Sequence, residues 1–163
     1  MTCRGVYYAL TEDEAKTLLA AEDNESVLAA LEAIDRQREP QWLETTDKTW
    51  DALHRSLSNG TLYYDEGDYP LNRTVLGGKH LYDGDEVVVS YVAPGEVKDV
   101  AVALAPITPK DFRGRYDAID PDDYEGEQGE TDFQATWDTF QRVRELYSRS
   151  AAAGRSVVFK VVQ

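Results

Sequence analysis

The sequence is poor in the residues that carry metal and covalent chemistry. It has one cysteine, Cys3, and two histidines, His54 and His80. A lone cysteine excludes an intrachain disulfide and suits a reducing, cytoplasmic setting. Long apolar runs are missing as well. No stretch reaches the ~18 residues of a membrane span. The first 24 residues lack an apolar signal core and turn acidic at Glu12, so they do not read as a secretory signal. The sequons at Asn24, Asn59 and Asn72 are then chance matches. Basic residues are scarce: 17 Lys and Arg stand against 31 Asp and Glu, for a net charge of -14. Such a surface repels phosphate backbones and anionic lipid, so neither nucleic acid nor membrane is an expected partner. It favours solubility and the attraction of a basic partner protein.

What is present suffices for a core. The chain has 163 residues and is 42% hydrophobic. A chain that long buries roughly 68–70% of the surface it exposes when unfolded. No repeat and no long Gly-, Ser- or Pro-rich linker divides it, so residues 1–163 read as a single domain. A β-rich run spans residues 3–10, with Cys3 on the expected core strand. Thr11 and Glu14 then form a capping-box pair that opens a helix bearing Ala15, Leu18 and Leu19. A second helix spans about residues 25–39 and stops at Pro40. A third spans about 47–58, capped by Thr46 or Asp47 and ended by Asn59-Gly60. Residues 59–85 are rich in glycine and tyrosine and read as a long irregular stretch that is functional or hides short helices.

The second half is more regular. Residues 86–93, EVVVSYVA, read as a strand. Pro94 suits the first turn of the following helix, and Thr108-Pro109 opens a short one. Residues 117–132 are acidic and read as a solvated loop. A long helix at about 131–152 carries Phe133, Trp137, Phe140, Val143 and Tyr147 on one face, and Gly154 caps it. Residues 155–162 close the chain as a strand. The expected fold class is α+β: a small sheet that includes both terminal strands, with helices covering one of its faces. Trp50 and Trp137 are expected in the core.

KTWDALH at 48–54, PLNRTVLGGK at 70–79 and YVAPGEVKDVAVAL at 91–104 resemble the YfbM-like bacterial proteins, a family of unknown function. The resemblance covers nearly the whole chain. It implies a small α+β fold and supplies no catalytic residues to carry over.

Candidate sites therefore rest on the residues themselves. Asp51 and His54 are i, i+3 neighbours on a helix, where the carboxylate can orient the imidazole, and Trp50 lies beside them. An oriented histidine suits general-base chemistry, but a histidine on an apolar face also serves by bonding a loop carbonyl. Gly77-Gly78 permits a sharp turn or a close approach, with Arg73 and Lys79 available to an anion. This is neither a Walker loop nor a dinucleotide fingerprint. Asp51, His54 and His80 lack zinc-ligand spacing, and no metal or cofactor is expected. The acidic run fails the EF-hand pattern, because Pro121 falls at the first ligand position. Tyr63, Tyr64, Tyr69 and Tyr82 either line a recognition surface or pin the loop onto the domain.

The leading expectation is a non-enzymatic interaction or binding domain with a basic protein partner, its candidate binding residues being Trp50, Asp51, His54, Arg73 and His80. The alternative is a small-molecule-binding domain or weak hydrolase around His54 and His80. A third is an acidic decoy that covers a basic partner surface.

Overall fold

The computed structural model describes residues 4–163. Cys3 lies outside them, and the described part of the first strand, β1, is Gly5–Leu10. It is followed by α1 (Glu12–Leu19), α2 (Asn24–Arg36), β2 (Leu43–Asp47) and α3 (Trp50–Leu57). Then come β3 (Lys79–His80), β4 (Val87–Val92), α4 (Pro94–Leu104), α5 (Pro109–Asp117), α6 (Glu130–Ala153) and β5 (Ser156–Val162). The strands form one antiparallel sheet in the order β2-β1-β5-β4-β3. The terminal strands are neighbours, with Tyr7 opposite Phe159. The α+β fold class is as expected, with both terminal strands in the sheet.

Helices cover both faces of that sheet, not one. Side chains alternate across a strand, so β1 sends Tyr7 and Ala9 to one face and Tyr8 and Leu10 to the other. The first face packs against α3, α4, α5 and α6 through Leu53, Val100, Phe112 and Phe140. The second packs against α1 and α2 through Ala15, Leu18, Val27, Leu31 and Ile34. Every residue of β4 is buried, as a strand between two helical layers requires. Each fully buried Leu, Val or Phe contributes about 1.5–3 kcal/mol relative to exposure. Trp50 and Trp137 both lie in the larger core, as expected.

Local chemistry sets the helix ends. The Thr11–Glu14 capping box is formed in both directions. Thr108 and Asp111 form a second one, with Pro109 in the first turn. Gly154 takes the left-handed conformation, φ 68°, that closes α6. The cap expected at Thr46 or Asp47 is not used. Those residues belong to β2, and α3 opens from Thr49 without a side-chain cap. β2 was not expected at all. It pairs along the outer side of β1 with a register irregularity between Gly5 and Val6.

The stretch 59–85 is held in place from inside. Tyr7 and Tyr147, both fully buried, donate their hydroxyls to the Thr74 carbonyl at 2.8 and 3.2 Å. A 3-10 turn at Leu71–Arg73 and the short β3 are its regular pieces. Gly77-Gly78 is a packing requirement. A Cβ on Gly77 would stand 1.9 Å from the Asn72 carbonyl oxygen, and one on Gly78 would stand 2.5 Å from that of Tyr91.

Candidate functional site

Between the start of α3, the loop after it and the acidic loop before α6 lies a cleft of about 1110 Å³. One wall comes from Lys48 to Asp51 and the loop residues Thr61 to Asp65. The other comes from Asp123 to Glu127 and Asp132. Six carboxylates line it: Asp51, Asp65, Asp123, Glu125, Glu127 and Asp132. Its cations are Lys48 and Arg55, and its aromatic rings are Trp50, Tyr63, Tyr64 and Tyr124.

Arg55 ties the walls together. Its side chain is 4% exposed. Nε donates to Asp51 at 2.6 Å, and Nη1 donates to Asp123 at 2.5 Å and to the Gly60 carbonyl at 3.2 Å. Its carbon lies 5.6 Å from the centre of the Tyr124 ring. Burial opposes the Arg55 charge, yet the hydrogen bonds it donates to Asp123 and Asp51 hold its pKa above the ordinary value. Burial pushes the Asp51 carboxyl up. Arg55 pulls it back, and the neighbouring charges of Glu125 and Asp123 push it further up. The contact is an ion pair at neutral pH, because arginine does not give up its proton there. Asp132 accepts the hydroxyls of Tyr116 at 2.5 Å and Tyr124 at 3.0 Å. Burial, with Asp132 beside them, raises the pKa of both phenols, which stay neutral donors.

The expected site residues are divided by the structure. Trp50 and Asp51 line the cleft. His54 does not line it. It is 1% exposed, and Nε2 bonds the Tyr63 carbonyl at 3.0 Å. Asp51 does not orient His54, because its carboxylate is engaged one turn on, at Arg55. Burial pushes the His54 pKa down to about 4, so the ring is neutral at neutral pH. A carbonyl only accepts, so Nε2 carries the proton.

His80 makes the same kind of contact with the Leu76 carbonyl at 2.7 Å, and its ring lies 4.3 Å from that of Tyr64. The two histidines thus fasten adjacent residues, Tyr63 and Tyr64, from beneath. Among the described residues no group of three or more His, Cys, Asp or Glu side chains is arranged to hold a metal. Arg73 is not free for an anion beside Gly77-Gly78. It donates to the Gly77 carbonyl at 2.7 Å and to Glu96 at 3.2 Å.

The loop tyrosines divide by position. Tyr63 and Tyr64 line the cleft, and Tyr63 is 65% exposed. Tyr82 packs against the smaller core. Sequence reasoning missed Arg55, Lys48 and the cleft role of Asp123, Tyr124 and Asp132. The Asp51–Arg55 spacing of four was a legible helix ion-pair signal. The meeting of Arg55 with Asp123, 68 residues away, had none.

A two-faced antiparallel sheet with an acid-and-aromatic cleft at one side defines a class by shape, not by chemistry. The family comparison is more specific: residues 1–160 match the profile of the domain of unknown function DUF1877, and the chain belongs to that family. The fold is similar to the crystal structure of YfbM from Escherichia coli, a protein of unknown function. That match has a TM-score of 0.71 and 18% identity, and it covers 99% of this chain and 100% of the other. It supports the resemblance stated above and, at that identity, shows the fold alone. No curated protein matches the sequence. Among the described residues no helix is long and apolar enough to cross a membrane.

Proposed function

We propose that this protein is a non-enzymatic interaction domain that docks a basic segment of a partner protein in the cleft between Trp50, Tyr63 and the acidic loop. One observation carries the reading. The cleft gathers six carboxylates and four aromatic rings around two cations, and one of those cations, Arg55, is already committed to the wall. Carboxylates supply long-range attraction for a positively charged segment, and exposed rings supply the contact area once it has docked. The acidic decoy is a special case of this reading, in which the partner surface covered is itself functional. The alternative site around His54 and His80 gains no support from the geometry, since both rings bond backbone carbonyls.

The test is calorimetric titration of the whole protein with a panel of basic and neutral peptides at low and high salt. Basic peptides should bind, and binding should weaken as salt screens the exposed acids, over about 10 Å at 0.1 M. The triple variant Asp65→Asn, Glu125→Gln, Glu127→Gln removes three exposed cleft charges and should abolish the effect. Failure of every basic peptide to bind at low salt would sink the proposal.

A further inference from the structure

The clamp on Arg55 shows how this cleft handles a guanidinium. Asp51 and Asp123 stand where one guanidinium spans both, because Arg55 does so through Nε and Nη1. Each carboxylate uses a single oxygen, Oδ1 of Asp51 and Oδ2 of Asp123, for that contact. Among the described residues, Asp51 Oδ2 and Asp123 Oδ1 accept no hydrogen bond. Both carboxylates face the cleft, as do Trp50 and Tyr63. Asp51 is also under-compensated: burial and the nearby charges of Asp123 and Glu125 raise its pKa against the pull of Arg55.

We infer that the anchor of the docked segment is an arginine side chain, whose guanidinium bridges the second oxygens of Asp51 and Asp123 and rests against the aromatic rings of the cleft. This rests on the reading of the cleft as a basic-segment site and narrows it. A planar fork reaches two carboxylates at once and is weakly hydrated, so it leaves water readily for an aromatic wall. An ammonium is a compact, strongly hydrated point charge that satisfies one carboxylate and stacks poorly. The cleft already demonstrates the preferred geometry on its own arginine, with Tyr124 as the ring.

The experiment uses the full chain and three peptides that are identical except at the anchor, which is arginine, lysine or the neutral isostere citrulline. Calorimetry at low salt should show the arginine peptide binding about tenfold tighter than the lysine peptide, the ratio that about 1.4 kcal/mol gives. The citrulline peptide should show no measurable binding. Two variants place the anchor. Asp123→Asn removes one arm of the bridge, and Tyr63→Ala removes an exposed ring that the fold does not need. Each should weaken the arginine peptide several-fold while the protein stays folded, its thermal midpoint lowered by no more than about 4 °C. Equal binding of arginine and lysine peptides would overturn the arginine anchor and leave the basic-segment reading standing. No binding by any peptide would overturn both. Arginine binding unchanged in both variants would overturn the placement at Asp51 and Asp123.

Discussion

The two walls of the cleft are built on opposite principles. The loop that supplies one wall, residues 59–78, is fastened from inside the protein by neutral groups: Tyr7 and Tyr147 on the Thr74 carbonyl, and His54 on Tyr63. The acidic wall is fastened largely by charge, through Arg55 on Asp123 and the phenols on Asp132. Neutral buried hydrogen bonds are indifferent to salt. Attraction between partly exposed charges is not. The first wall should therefore be indifferent to salt, and the second should respond to it.

Removing the residue that joins the walls should have the largest effect. Arg55→Met leaves Asp51 half-buried without its counter-ion and should cost roughly 3–5 kcal/mol, read as a shift in urea midpoint. Adding Asp51→Asn should restore part of the loss. A double variant no more stable than the single one would show that the clamp does not hold the wall.

The next effect belongs to the inner wall and depends on pH. Unfolded His54 protonates near 6.5, whereas the folded ring resists protonation down to about 4. The unfolded state binds more protons in that window, so stability falls as pH drops from 6.5 to 4. The loss should be about 3 kcal/mol from this residue. Urea midpoints at pH 7 and pH 4 for the native protein and His54→Gln should differ by that increment. An identical pH dependence in the two proteins would show that His54 is not held neutral.

Smaller still is Tyr147→Phe. It removes one of two donors to a single carbonyl and should cost about 1 kcal/mol, with no salt dependence. The smallest effect is Asp123→Asn, on a carboxylate 59% exposed. It should cost less than about 1 kcal/mol, and the cost should shrink in high salt. Equal salt sensitivity for the two variants would remove the distinction between the walls.

The sequence made the scaffold legible and the cleft mostly not. Thr11 with Glu14, Pro94, Pro109 and Gly154 act within one helical turn, so their signals are local and sufficient. β2 was missed because the two threonines of LETTD, which favour strands, are flanked by acids that do not, and its pairing partner β1 is distant in sequence. The two helical layers were under-read. The continuous apolar run VVVSYV in β4 was itself the sign of a strand buried on both faces. At the site, α3 brings Trp50 and Asp51 to the cleft. The pairing of Asp51 with Arg55 was legible in its spacing of four, whereas the burial of His54 beneath the loop carbonyl of Tyr63 had no spacing to reveal it.

The sheet ends weakly on both sides, and that limits how a partner can approach. β3 is two residues long, and β2 is short with an irregular register. On the β2 side, Arg142 of α6 already donates to the Thr45 carbonyl at 2.9 Å and pairs with Glu44, while Arg149 reaches the Gln41 carbonyl at 3.1 Å. Among the described residues, neither edge offers a long regular ladder of backbone donors and acceptors for a sixth strand. A peptide docked as proposed above would then be read through its side chains one at a time, which would tolerate variation in its backbone but not in the charge it carries.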